Sequence, residues 1–224
     1  MSPPTIATGD VVVRLEEVRR RIEVAGGDPA TVTVLAVTKG FDASAVEAAL
    51  GAGVGDVGEN YAQELVAKAA AVSGVRWHAI GRLQRNKVRI LAPFVHLWQS
   101  VDRVELGPEI ARRSPGASVL VQVNVSDEAH KGGCAPGATG AMVADLRAEG
   151  LDVRGLMAVA ADGGPTAAGP GFRLLRTLAD NLSLPLRSMG MSGDLEAAVA
   201  EGSTMVRVGS ALFGPRVRPP TVRN

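Results

Sequence analysis

The feature that most constrains this chain is an alternation repeated eight times. A short run rich in β-branched and apolar residues is followed each time by a segment with helical spacing. The runs fall at 32–39, 56–60, 75–80, 94–99, 118–125, 153–159, 186–191 and 204–208. The helical segments between them are predicted at 44–52, 61–72, 84–91, 103–113, 138–149, 172–181 and 194–201, and a helix-like run follows Gly209-Ser210 after the eighth. One more helix precedes the first run: Thr8 or Asp10 can cap it, and Val11, Leu15, Val18 and Ile22 share one face as far as about Ala25. Strands separated by helices at this spacing are parallel, because each helix is the crossover. Eight such units in 224 residues predict an α/β fold, a single (β/α)8 barrel of the TIM type with an additional N-terminal helix. The alternative is an open doubly wound sheet, but no GxGxxG fingerprint follows the first strand. No linker divides the chain, so residues 1–224 are expected to form one domain with an ordered core over about 8–216. The residues from 217 on, with Pro219-Pro220, read as a loose tail. The Gly/Pro/Ala-rich stretch 162–171 reads as a βα loop and a candidate lid.

The first strand carries the first chemical signal. Val32-Thr33-Val34-Leu35-Ala36-Val37-Thr38-Lys39-Gly40 is apolar on both faces and ends on a lysine. Ligands of parallel α/β folds bind at that end of the sheet. An apolar surrounding favours the neutral amine, which can form an imine with an aldehyde or ketone. The plainer reading is a surface lysine past a strand end. The loops after the seventh and eighth strands add a second signal. They read Met189-Gly190-Met191-Ser192-Gly193-Asp194 and Arg207-Val208-Gly209-Ser210-Ala211-Leu212. Glycine lets backbone approach an anion, serine adds a hydroxyl donor, and barrels often hold phosphate at these two loops. A lysine opposite a phosphate cup points to pyridoxal 5′-phosphate (PLP), an aldehyde that carries a phosphate.

Other chemistries find less support. A formal net charge of +1 gives no reason to expect nucleic acid or an anionic membrane as partner. The single cysteine, Cys134, forms no internal disulfide, which fits a reducing, cytoplasmic compartment. The first ten residues lack the pattern of a signal peptide, and no run is long enough to span a bilayer. No metal-ligand spacing of His, Cys or carboxylates appears. Arg82, Arg85, Lys87 and Arg89 form a basic cluster that reads as a solvated helix face. Lys131, in a Gly-rich loop, reads as a surface lysine or a second amine near the mouth.

Six motifs then converge: AVTKG (36–40), GENY (58–61), WHAIGRLQRNK (77–87), QVNVSDEAHKGG (122–133), GLMAVA (155–160) and SMGMSGDLEAAVAEGSTMVRVGSALFG (188–214). In this order they resemble the pyridoxal phosphate homeostasis proteins, which are similar to the barrel domain of alanine racemase. The resemblance runs from about residue 8 to 216. The stretch 162–171 matches no motif, and Ser210 stands where threonine is frequent. The resemblance implies that Lys39 holds PLP as an imine and that Ser192, Gly209 and Ser210 bind its phosphate. It implies that Arg207 faces the pyridine nitrogen, and that Asn60 and His78 line the pocket. It further implies a non-catalytic PLP carrier in vitamin B6 homeostasis, with PLP-dependent apoenzymes as recipients; no exposed apolar stripe in the sequence demands a partner, so a monomer is expected. A PLP-dependent racemase and a Schiff-base aldolase are the alternatives. Racemisation needs a base on each face of the substrate. The racemases draw the second, a tyrosine, from a β-rich domain that this sequence is not expected to contain, and its one tyrosine is Tyr61.

Overall fold

In the computed structural model, residues 6–128 and 130–215 are described. Eight parallel strands close into a barrel in sequence order, β1 pairing with both β2 and β8. They are β1 (Thr33–Val37), β2 (Asp56–Glu59), β3 (Arg76–Ala79), β4 (Val95–Val101), β5 (Ser118–Gln122), β6 (Asp152–Met157), β7 (Leu186–Met191) and β8 (Met205–Val208). The helices are α1 (Thr8–Val24), α2 (Ala43–Gly51), α3 (Ala62–Ala71), α4 (Arg85–Leu91), α5 (Gly107–Arg113), α6 (Thr139–Ala148), α7 (Pro165–Asn181), α8 (Leu195–Ala200) and the short α9 (Ser210–Phe213). The closed barrel with a preceding helix is the expected fold, and the open sheet is excluded. The expected tail at 217–224 lies outside the described residues. Among those described, no helix is long and apolar enough to cross a membrane.

Side chains alternate between the two faces of each strand. Outward-facing Ala36, Val206 and Val208 pack with Val11, Leu15, Val18 and Ile22, so α1 lies on the barrel wall along its predicted stripe. Its N-cap position is Ala7, which makes no side-chain bond. Neither Thr8 nor Asp10 caps the helix, and Asp10 instead lies in its first turn, where a carboxylate favours the helix dipole. Inward-facing Leu35, Leu97, Leu120, Met157 and Met205 form a separate apolar plug in the barrel. With few aromatics in the chain, aliphatic side chains do this packing.

Two expectations are corrected. The stretch 162–171 is mostly helix: α7 begins at Pro165, whose fixed φ suits a first helical position. Ala168, Gly171, Phe172, Leu175 and Ala179 recur at helical spacing and are all buried. Gly171 is needed there, since a Cβ would stand 2.9 Å from the Val125 side chain. Of the stretch that looked like a loop, Ala168 and Gly171 are the residues that α7 buries. Strand β5 stops at Gln122 rather than 125, because the chain folds back on it. Cys134 N donates to Gln122 O at 2.9 Å, and Asn124 N donates to Cys134 O at 2.9 Å.

Candidate functional site

Residues of one parity reach the C-terminal mouth of the barrel. Leu35 is inside, so Val37 and Lys39 follow it on that face. Met205 is inside, so Arg207 and Gly209 follow. An open cavity of about 460 Å³ results. Its wall contains Lys39, Asn60, Ser192, Arg207, Gly209 and Ser210, with Val37, Ile80, Met157 and Val159 as apolar neighbours. Six of the seven expected site residues therefore share one space. His78 does not line it.

The turn that carries Lys39 is held from both sides. Lys68, from α3, points its amine at the Thr38 carbonyl at 2.8 Å. The same amine pairs with the buried Glu59 carboxylate and reaches Glu64 at 3.1 Å. Thr38 Oγ1 donates to Glu59 Oε1 at 2.8 Å. Gly40 N donates to Glu64 Oε2 at 3.0 Å, and Asn60 N donates to Glu59 Oε2 at 3.1 Å. Gly40 has φ +74°, a conformation that glycine adopts without strain. The residues before and after Lys39 are thus fixed by one charged cluster. Burial raises the Glu59 carboxyl above its ordinary pKa, against the hydrogen bond and charge of Lys68. The sequence reading missed Glu59, Glu64 and Lys68. The signal was present in the i,i+4 spacing of Glu64 and Lys68 and in the acid that closes β2.

At the opposite wall Arg207 is buried, and it is held by neutral acceptors. Its Nη1 donates to Ser188 O at 2.7 Å and Ser188 Oγ at 2.9 Å, and its Nη2 donates to Ala158 O at 2.8 Å. Burial lowers its pKa to about 10, so it stays charged at neutral pH. The phosphate-type loops are anchored from outside. Arg21 of α1 donates to Ser192 O at 3.0 Å and to Glu196 at 2.6 Å. Ser192 Oγ accepts from Ala211 N at 3.3 Å, which joins the two loops.

His78 has a different place from the one expected. It lies inside the barrel in a hydrogen-bonded line that begins at Arg207. Ser188 Oγ donates to Gln99 Oε1 at 2.6 Å, and Gln99 Nε2 donates to His78 Nδ1 at 2.7 Å. His78 Nε2 then carries the proton and donates to Asp56 Oδ1 at 3.0 Å. Arg76 closes the line on Asp56 at 2.8 and 2.6 Å. Inward parity placed His78 two residues below the cavity-lining Ile80, too deep to touch a ligand. Burial holds its imidazole below the ordinary pKa, against the pull of Asp56 and with the help of His96 and Arg76. Burial works against the Asp56 carboxylate too, but bonds from His78 and Arg76 outweigh it and keep the carboxyl far below the usual range.

Lys131 is also away from the cavity. Its amine bonds Ala160 O at 2.5 Å, Glu128 at 2.9 Å and Asp162 at 3.1 Å, tying the β5–α6 loop to the β6–α7 loop. Glu128, His130 and Asp162 come together closely, contrary to the expectation of no metal-like cluster, and the Lys131 amine is paired with both acids. Cys134 is half-buried, and burial pushes its thiol up, away from reactivity.

The family model for the alanine racemase N-terminal domain matches residues 13–217. A pyridoxal phosphate homeostasis protein from Pseudomonas aeruginosa is 44% identical over 209 residues, covering 89% of this chain and 91% of that protein. The chain belongs to the pyridoxal phosphate homeostasis protein family. Its Escherichia coli member is 37% identical over 231 residues, covering 92% and 97% of the two chains. PipY from Synechococcus elongatus, solved with PLP bound, superposes with a TM-score of 0.80 at 32% identity, covering 91% of this chain and 100% of that one. Relatives of this family thus match the chain over the whole barrel, its mouth included.

Two predictions test the supports of this site. Lys68→Met leaves Glu59 buried without its cation and should cost about 3–5 kcal/mol of unfolding free energy. Glu59→Gln added to Lys68→Met should recover part of that loss in urea denaturation, and a simple sum of the two single losses would show that they act separately. For His78, the folded ring stays neutral while the unfolded ring takes up a proton below about pH 6.5. Stability should therefore fall as pH drops from 7 towards 5. His78→Gln should make that fall shallower, and an unchanged slope would remove His78 as its cause.

Proposed function

We propose that this chain binds PLP in the cavity at the barrel mouth, attached through Lys39, and holds it for vitamin B6 homeostasis without substantial turnover. The observation that carries this reading is the convergence of an amine, two Gly-Ser loops and a buried guanidinium on one cavity. The relatives' names and the PLP-bound PipY structure support it. The donor set suits the coenzyme at each end. Lys39 offers the amine for an aldehyde. Ser192 and Ser210 offer hydroxyls, and Gly193 and Gly209 open backbone, for a phosphate. The volume lies at the small end of ordinary ligand pockets, which span about 300–1,000 Å³. Bound PLP supplies an electrophilic aldehyde and an electron-withdrawing ring.

The residues also argue for holding over turnover. Arg207, set to face the ring nitrogen, is a fixed positive charge that opposes protonation of that nitrogen and weakens the ring as an electron sink. Racemisation needs a base on each face of a substrate. Among the residues lining this cavity, Lys39 and Arg207 are the amine and guanidinium, and no carboxylate, imidazole or phenol joins them. Tyr61 lines a neighbouring cavity instead.

Borohydride reduction of PLP-loaded protein should leave a pyridoxyl group on Lys39, and Lys39→Ala should abolish the yellow absorption while the barrel stays folded. Peptide mapping to Lys131 would overturn the assignment. The loaded protein should exchange the Cα hydrogen of alanine or serine far more slowly than one per second, and rapid exchange would make it an enzyme. The phosphate end is tested separately. Ser192→Ala with Ser210→Ala should weaken PLP by roughly 1.5–3 kcal/mol per lost bond while pyridoxal, which has no phosphate, is little affected. Equal weakening of both would place the phosphate elsewhere.

A further inference from the structure

A second cavity of about 360 Å³ opens beside the first, between the loops after β2 and β3. Asn60 belongs to the walls of both. The two loops are pressed together here: a Cβ on Gly81 would stand 2.1 Å from Asn60 O. Leu65, Leu83 and Leu91 form an apolar floor, and Tyr61, which is 60% exposed, offers a ring at the side. Arg82 and Lys87 supply the charge.

The charge is what needs an explanation. From Gly81 to Val101 there is no acidic residue, yet Arg82, Arg85, Lys87 and Arg89 fall within one loop and its helix. Most other cations of the described residues have a carboxylate partner: Arg19, Arg21, Arg76, Arg112, Lys131 and Arg173 are examples. None of the four at 82–89 has an ion pair among the described residues. Four like charges without a nearby acid raise the positive potential over this cavity. The one carboxylate in the cavity wall, Glu59, is already neutralised by Lys68. A cationic rim over an apolar floor, with a phenol ring at the side, suits an anion that also carries a flat apolar ring. Exposed Arg85 and Arg89 add to the attraction at long range.

We propose that this second cavity is a binding site for a ring-bearing organic anion, of the pyridine-phosphate class, separate from Lys39 and held by Arg82 and Lys87. The choice of the pyridine class rests on the reading of the first cavity given above. The site requires no imine, so a pyridine phosphate without an aldehyde fills it. Through the shared Asn60 its occupant lies next to the cofactor mouth, where an incoming or outgoing vitamer phosphate passes.

The test blocks the first cavity covalently. PLP-loaded protein is reduced with borohydride, and pyridoxine 5′-phosphate is titrated into the reduced protein by equilibrium dialysis. One saturable equivalent is expected. Arg82→Gln with Lys87→Gln should weaken that binding at least tenfold while PLP content at Lys39 is unchanged. Pyridoxine, without the phosphate, and inorganic phosphate, without the ring, should each bind at least tenfold more weakly than the phosphate ester. No binding to the reduced protein, or binding unmoved by the double substitution, overturns the proposal. Inorganic phosphate binding as tightly as the ester would overturn the ring-bearing class and leave a plain anion site. If borohydride attaches nothing at Lys39, the reading of the first cavity fails on its own. The same titration on untreated wild-type and doubly substituted protein then decides the second.

Discussion

The buried charge pair between Glu59 and Lys68 is the constraint on which the mouth of this barrel depends. Two charges removed from water are costly unless their remaining bonding capacity is used. Here it is used on the backbone around Lys39. The Lys68 amine takes the carbonyl before it, Glu64 takes the amide after it, and Glu59 takes the Thr38 hydroxyl and the Asn60 amide. The cluster thereby fixes the backbone on either side of Lys39. It also joins the ends of β1 and β2, from which both cavities are built.

The barrel interior divides along the same logic. An apolar plug of Leu35, Leu97, Leu120, Met157 and Met205 fills much of it. Beside the plug a polar line crosses from Asp56 through His78, Gln99 and Ser188 to Arg207. The three inner members, Ser188, Gln99 and His78, each accept from the Arg207 side and donate towards Asp56, with the guanidinium as pure donor at one end and the carboxylate as pure acceptor at the other. The result is a guanidinium buried without a bonded carboxylate partner, presented with its full charge to the cavity. The cavity it faces is lined by one amine and one guanidinium, with no carboxylate, imidazole or phenol among its lining residues.

Much of this was legible in advance. Parity along a strand is a local property. Leu35 and Val37, or Met205 and Arg207, share a face wherever those runs are strands, and a parallel barrel sends both sets, with the Lys39 and Gly209 that follow them, to one mouth. The eightfold alternation likewise carried the topology, because the crossover helices leave a parallel sheet little choice. The stretch 162–171 was misjudged because glycine and alanine signal both loops and close helix packing. Only the contact of Gly171 with Val125 separates the two.

The sequence by itself determined the order of elements and the parallel pairing of the strands, since these follow from periodicities of two and of helical turns; closure of the sheet is seen only in the fold. Tertiary structure alone decided depth and partnership. His78 and Ile80 have the same parity, yet Ile80 lines the cavity and His78 lies beneath it, bonded to Asp56 and Gln99. Lys68 shares the buried stripe of α3 with Leu65, and only the fold brings its amine onto Glu59. Arg82 and Lys87 look like members of an ordinary basic run, and only the folded loops show a cavity beneath them with no carboxylate to answer their charge. Such facts depend on distances between segments far apart in the chain, which no local pattern encodes.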